Sequence, residues 1–251
     1  SHHHADHVGG LPGLLHSLAN SGHTDRLDIY GPPGTGDMVS ALRYIARDLP
    51  YEVRVIDVEG GTSVLLANGL AASTVWAEHR VPCLAWRFDL PRAPAFDARA
   101  AVDFGIPRDR WSELQRGDSV VIGDVTYVPE QVLKTQRAGL SFGLATDTRP
   151  TTAIAELMQD VDLLISEATY AEDSRQELAA ANGHMTFREA ARMAKESNAK
   201  HLWLTHFSAR ITDPQEHRDL AASIFPNVSI GQAGLTGTLR FETGYEPVSE
   251  G

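Results

Sequence analysis

The chain opens Ser1-His2-His3-His4-Ala5-Asp6-His7-Val8-Gly9-Gly10, and read at its ligand positions this is H-x-H-x-D-H closed by a Gly-Gly turn. His2, His4, Asp6 and His7 offer three imidazoles and a carboxylate within six residues. That donor set suits a borderline metal such as zinc, and no cysteine cluster competes for it. A loop this short can wrap two adjacent ions if it sends His2 and His4 to one and Asp6 and His7 to the other. A histidine run at a terminus is also what an expression tag looks like. A tag accounts for His2 to His4, and not for Asp6, His7 or the patterned continuation Gly9-Gly10-Leu11-Pro12-Gly13-Leu14-Leu15.

With 251 residues and 42% hydrophobic side chains the chain can bury a full core, and α/β layers of this size form a single domain, here 1–251. No stretch approaches the roughly 20 apolar residues of a spanning helix, and no signal-peptide pattern is present, which predicts a cytoplasmic protein without membrane contact. Cys83 stands alone, so an intramolecular disulfide is impossible and a reducing compartment fits. The net charge of -11 counts against a broadly basic nucleic-acid surface. Bound dications and a local arginine cluster can still oppose that field at one mouth. Of 22 basic residues only Lys134, Lys195 and Lys200 are lysine, and arginine forks suit phosphate oxygens.

Periodicity gives alternating strands and helices, the pattern of layered α/β structure. Leu11, Leu14, Leu15 and Leu18 predict a helix over 11–19 whose N-terminus abuts the opening loop. Strands follow over 27–30 and 52–58 with a helix over 36–47 between them, then a strand over 71–77 that delivers Glu78-His79-Arg80-Val81-Pro82 to a rim. A helix over 96–104, a turn over 111–114 and a Gly-Asp hairpin over 120–128 come next. The strand 140–145 ends at Thr146-Asp147-Thr148-Arg149-Pro150. A carboxylate there, before a proline-started helix, can bridge two ions or cap the helix. The strand 162–166 leads to Glu167, and a helix over 173–181 precedes Gly183-His184-Met185. Thr186 and Glu189 then form a T-x-x-E capping box, which sets His184 just outside a helix start. The strand 201–206 ends at His206, with His201 expected on the surface, and a helix over 214–225 and short strands close the chain. Taken singly, His79 is more often a structural or surface histidine, and a capping-loop histidine is the lesser alternative for His184.

The ordered set of motifs resembles ribonuclease Z, the tRNA 3′ processing endonucleases of the metallo-β-lactamase superfamily. Its marks are His2-x-His4-x-Asp6-His7 with Gly9-Gly10-Leu11-Pro12-Gly13, Glu78-His79-x-Val81-Pro82, Thr146-Asp147-Thr148-Arg149-Pro150, Ser166-Glu167-Ala168-Thr169-Tyr170, Gly183-His184-Met185-Thr186 and Leu204-Thr205-His206-Phe207-Ser208. The resemblance implies an αβ/βα sandwich and two Zn2+ ions, with Mn2+ an alternative. His2, His4 and His79 would hold one ion, Asp6, His7 and His206 the other, with Asp147 between. It also implies Asp6, Glu167 and His184 as catalytic groups, His184 giving a proton to the leaving oxygen while Glu167 orients it. Precursor tRNA would be the substrate and a homodimer the working form. In the family a protruding arm that grips tRNA lies in the stretch matching 89–118. Here Arg87 to Asp118 carry six positive and six negative side chains, so arm and ordinary insertion both remain open. Arg108, Arg110, Trp111 and Arg210 are the candidate substrate contacts. The family's opening loop follows several strands, so the sequence reads as lacking the N-terminal strands, and Ala233-Gly234 lacks an acid usual near the end. Rival readings are a small-molecule or cyclic nucleotide phosphodiesterase and an inactive fragment. A lactonase or β-lactamase fits less well, because those substrates do not call for the Glu167 and His184 pair.

Overall fold

Apolar spacing and capping residues account for the elements of the computed structural model, which describes residues 1–247. The opening loop makes one helical turn, α1 (Ala5–Val8), and runs into α2 (Leu11–Asn20). Leu11, Leu15 and Leu18 share one face of α2 and pack on Ala46, Tyr51 and Val53, while the Tyr51 hydroxyl donates to the Leu15 carbonyl at 2.6 Å. Beneath it β1 (Leu27–Gly31) and β2 (Val53–Asp57) pair in parallel, joined through α3 (Thr35–Leu42).

The main sheet starts with β3 (Ser63–Leu65), β4 (Ala71–Trp76) and β5 (Leu84–Arg92), each antiparallel to the next. An excursion then carries α4 (Ala98–Asp103), α5 (Trp111–Arg116) and the hairpin of β6 (Val120–Ile122) and β7 (Val125–Tyr127). The chain re-enters the sheet as β8 (Arg137–Ala145) and continues through α6 (Thr152–Leu157), β9 (Leu163–Glu167), α7 (Gln176–Asn182), α8 (Phe187–Glu196), β10 (Leu202–Thr205), α9 (Arg218–Ala222) and β11 (Val228–Ile230). A hairpin of β12 (Gly237–Arg240) and β13 (Gly244–Pro247) follows. The seven strands lie in the order β11-β10-β9-β8-β5-β4-β3.

Strand direction is what builds the site. Strands β8, β9, β10 and β11 are parallel, β5 runs against β8, and β4 runs against β5, so β4 points the same way as β8. The C-terminal ends of β4, β8, β9 and β10 therefore open on one rim, where α/β sheets place ligands. Helix α8 covers one face with Phe187, Ala190, Ala191, Met193 and Ala194 packed against Leu164, Leu202 and Leu204.

Several expectations need correction. The long strand β5 is absent from the sequence reading, although Leu84, Trp86, Phe88 and Leu90 alternate as a strand does. Pro150 does not start α6. Thr151 caps it, its hydroxyl accepting the Ile154 amide, so the helix begins at Thr152. The 111–114 turn is a full helix, α5. His201 is half-buried rather than on the surface, its ring 4.4 Å from Tyr245 and its Nε2 2.9 Å from the Ser229 hydroxyl. The excursion from the sheet runs over 93–136 and not 89–118, because β5 extends to Arg92 and α4, α5 and the β6–β7 hairpin share a core of their own: Ala101, Ile106, Leu114, Val120 and Val132, flanked by Phe96 and Trp111. Backbone bonds from Asp97 to Val132 and from Lys134 to Ala95 close its neck.

Candidate metal centre

Four rim loops converge on the opening loop. His79 follows β4, Asp147 follows β8, Glu167 ends β9 and His206 follows β10. Ligand atoms of His2, His4, His79 and Asp147 lie within 4.8 Å of one another, as do those of Asp6, His7 and His206. In detail, His2 Nε2 is 3.0 Å from His4 Nδ1, His79 Nε2 is 3.3 Å from the same atom, and His7 Nε2 is 3.2 Å from His206 Nε2. Donors on a tetrahedron at 2.0–2.1 Å from zinc stand about 3.3 Å apart, so this spacing is that of a coordination shell. Asp147 sits between the groups. Its Oδ1 is 3.1 Å from His7 and 3.3 Å from His206, and its Oδ2 is 3.6 Å from His2 and 3.7 Å from His79.

The ring tautomers fit the same conclusion. His79 Nδ1 faces the Gly183 carbonyl at 3.0 Å and must donate to it, which leaves Nε2 bare toward the cluster. The Thr169 hydroxyl hydrogen has two acceptors, Glu167 Oε2 at 2.8 Å and the His206 carbonyl at 3.1 Å. Thr169 Oγ1 must therefore accept from His206 Nδ1 at 3.0 Å, and His206 Nε2 is bare as well. Burial lowers the His2 pKa to about 3 despite the pull of Asp147, so that ring is a neutral donor. Burial alone would raise the Asp147 carboxyl, but close contact with His7 and the charges of His206, His7 and His2 hold it far below the carboxylate range. Asp147 Oδ1 is buried and has no hydrogen-bond partner. A buried carboxylate that reaches the bare nitrogens of His79 and His206 is stabilised by a cation that joins them, and the residues present fit one.

Asp147 has φ +26° and His206 φ +57°, in the left-handed region that Asn, Asp and His enter more readily than other side chains. Gly183 has φ +72°, and a Cβ there would stand 2.8 Å from His79 Nδ1.

Beside the cluster, His184 Nδ1 lies 2.8 Å from Glu167 Oε1. Glu167 is fully buried and also accepts from the amides of Thr148, Thr169 and Met185. Burial works against a charged His184, yet the bond and charge of Glu167 outweigh it and raise its pKa. One His184 nitrogen lies within 4.8 Å of ligand atoms of Asp147 and His206. Such a pair is a proton donor held in one tautomer.

The remaining candidates lie apart from the cluster. Arg108, Arg110 and Trp111 belong to the insertion. The Trp111 indole donates to the Ile106 carbonyl at 2.9 Å and its ring packs 5.1 Å from Phe96, so it serves that small core and not an open stacking surface. Arg110 pairs with Glu113 at 3.0 Å, and the Arg108 guanidinium stands 5.5 Å over the Trp111 ring. Arg210 is exposed and lines a cavity that also includes Thr169. Sequence reasoning missed Thr169, Gly183 and Arg149. Each lies inside a motif already singled out, two residues or fewer from a ligand or catalytic candidate or next to one. His3 turns away from the cluster to donate to the Thr35 hydroxyl at 2.9 Å, since that hydroxyl itself donates to the Pro32 carbonyl.

The family model described as Beta-lactamase superfamily domain matches residues 90–207. The Ribonuclease Z of Lachnospira eligens is 38% identical over 242 residues, covering 96% of this chain and 80% of that protein. The chain belongs to the ribonuclease Z family. The Ribonuclease Z of Clostridioides difficile is likewise 38% identical, over 245 residues, with 96% of this chain and 80% of that protein covered. Among solved structures, the metallo-beta-lactamase fold protein YhfI from Bacillus subtilis superposes with TM-score 0.60 at 20% identity, covering 93% of this chain and 73% of that one. Human tRNase Z, short form, gives 0.58 at 23% identity, with 92% and 74% covered. The chain shares the metallo-β-lactamase fold of these structures, and its own main sheet is a mixed seven-stranded one flanked by helices. With the ribonuclease Z family, the chain is a metal-binding hydrolase of phosphodiester bonds. Among the described residues no helix is long and apolar enough to cross a membrane.

Proposed function

We propose that the chain removes the 3′ trailer from precursor tRNA by phosphodiester hydrolysis, leaving a 3′ hydroxyl on the tRNA. The observation that carries this reading is the Glu167 and His184 pair at 2.8 Å beside the donor cluster. A phosphodiester needs an acid for its leaving oxygen, which a strained ring does not. His2, His4, His79 and Asp147 would hold one zinc, and Asp6, His7 and His206 a second, with Asp147 shared; manganese can substitute. When bound, such ions lower the pKa of water to about 7 and neutralise charge on the phosphoryl oxygens. The chain's own groups do the rest. Asp6, 68% exposed at the mouth, orients the attacking water, and His184 carries the proton that goes to the departing 3′ oxygen. Glu167 keeps that proton's ring in register and sustains its positive charge before transfer. Arg210 meets a substrate phosphate, and the insertion from 93 to 136 grips the body of the tRNA, with Arg108 and Arg110 on its backbone. A homodimer in the cytoplasm completes the reading, one subunit's arm holding the tRNA cut by the other.

The test is to incubate the chain and zinc or manganese with a precursor tRNA bearing a trailer and to map the cut, with His79→Ala as control. A single cut after the discriminator base, lost in the variant, is expected. The net charge of -11 favours a small-molecule phosphodiesterase instead. Hydrolysis of small diesters with no cut in the tRNA would establish that alternative.

A further inference from the structure

Asp147, His184 and His206 each offer a ligand atom within 4.8 Å of the others, a third donor group that overlaps the two already described. Resting on the two-ion reading above, we infer that the second ion has two seats with Asp147 and His206 in common: an outer one completed by Asp6 and His7, and an inner one completed by His184. In the inner seat the proton donor is itself a ligand.

The wiring of His184 carries this furthest. A metal-bound imidazole gives its other N–H to a carboxylate or another fixed acceptor, which sets the tautomer and strengthens the ligating nitrogen. His184 Nδ1 faces Glu167 Oε1 at 2.8 Å and donates to it, which leaves Nε2 bare in the neutral ring. Thr169 Oγ1 lies 3.3 Å from that same Nδ1 and 3.0 Å from His206 Nδ1. One oxygen thus faces the same nitrogen of two rings, whose centres stand 5.6 Å apart with planes 25° from parallel. Both rings turn Nε2 away from it, and for His206 that nitrogen is 3.3 Å from Asp147 Oδ1. His184 is therefore held as His206 is held, and His206 is a ligand in both seats.

Exposure favours the inner seat. The outer one ends on Asp6, whose side chain is 68% exposed, and the inner one on His184, which is 12% exposed. Water competes for a ligand position at the mouth and is largely kept from one inside, and the shell around a site sets that access. Because His206 and Asp147 belong to both, the seats exclude each other, and an ion changes seats by exchanging Asp6 and His7 for His184. An ion on His184 Nε2 takes the place of the proton there, since a ligating imidazole must be neutral. The inner seat is thus a resting arrangement, with the acid occupied and Asp6 left free at the mouth.

Removing the seats singly and together tests this. Zinc per chain is measured by elemental analysis after dialysis, and the affinity of the second ion by competition with a chelator, for the unaltered chain, Asp6→Ala, His184→Ala and the double variant. The unaltered chain and both single variants hold two ions, because each single variant keeps one seat. The double variant holds one, its second-ion affinity lower by about 100-fold than the two single losses predict together. The ion it retains on His2, His4 and His79 shows that it folds. Loss of an ion in either single variant, or two ions retained in the double, overturns the inference and leaves the two-ion reading standing. Fewer than two ions in the unaltered chain removes both. Cleavage of precursor tRNA by the unaltered chain is scored separately, so the proposed reaction stands or falls on its own.

Discussion

Thr169 has one hydroxyl hydrogen and gives it to an acceptor, which obliges its oxygen to receive the His206 Nδ1 proton at 3.0 Å. Removing that oxygen while keeping the shape frees the His206 ring to turn or change tautomer. Thr169→Val is therefore expected to weaken metal at the Asp6, His7 and His206 group by about 10–100-fold and leave the His2, His4 and His79 group loaded, with Thr169→Ser restoring both. Metal titration followed by elemental analysis checks this, and equal loss at both groups would sink it. Glu167 acts on the neighbouring ring. Glu167→Gln retains the shape but not the charge that raises the His184 pKa, so turnover falls by about 10²–10⁴. Metal content separates the causes: a variant that also loses its metal would show that Glu167 holds the site together instead of sustaining an acid. The grouping of His2, His4, Asp6 and His7 was legible because their spacing in the opening loop is short and local. Thr169 was not, since its role depends on a ring 37 residues away in sequence.

Helix α8 begins where three rim loops are tied together. Its T-x-x-E box was legible as a local signal, and the structure contains it, Thr186 and Glu189 exchanging bonds at 3.3 and 2.9 Å. The longer connection was not legible. Glu189 also receives the Arg149 guanidinium, Arg149 donates to the His184 carbonyl, and the Arg149 amide bonds the Glu78 carbonyl at 3.0 Å. One carboxylate thus links the loops that carry His79, Asp147 and His184. Burial works against its charge, but the bonds from Arg149 and the Thr186 amide outweigh it and hold the pKa below the ordinary 4.5. Since the folded value is the lower one, the stabilisation is fully present above pH 4.5 and disappears as pH falls through the folded value. Glu189→Gln is expected to cost about 3 kcal/mol at neutral pH, because it leaves Arg149 without its partner. Urea melts should show the gap to the unaltered chain closing below pH 4.5, and a gap constant with pH would refute the pairing. Strand β5 was missed for a different reason. Its charged residues Arg87 and Asp89 lie in mid-sheet and pair with each other at 2.8 Å, and charges there make an alternating strand look like the start of a polar loop.

At the scale of the molecule, several strands could be read from periodicity but not strand order, and only the order brings β4, β8, β9 and β10 out on one rim. Residues 2 to 206 meet there, so the site fastens the opening loop to the sheet. Without a cation that fastening is poor. Asp6 and Asp147 both stand near the bare nitrogen of His206 in a chain of net charge -11, and contact with His7 at 3.1 Å is a weak substitute for a dication. Metal bound only by the folded chain stabilises it by mass action, about 2.7 kcal/mol at a free concentration 100 times the dissociation constant. For a chain of this size each kcal/mol moves the midpoint by roughly 2–4 °C, so a chelator should lower Tm by roughly 5–11 °C. Zinc added back after dialysis should restore it. Calorimetry with and without chelator measures the shift, and Asp147→Asn supplies the control, because a chain that has lost the shared ligand has less metal stabilisation to lose. An equal shift in both would mean that chelation acts elsewhere on the chain; a shift confined to the unaltered chain ties its stability to the ions that its chemistry requires.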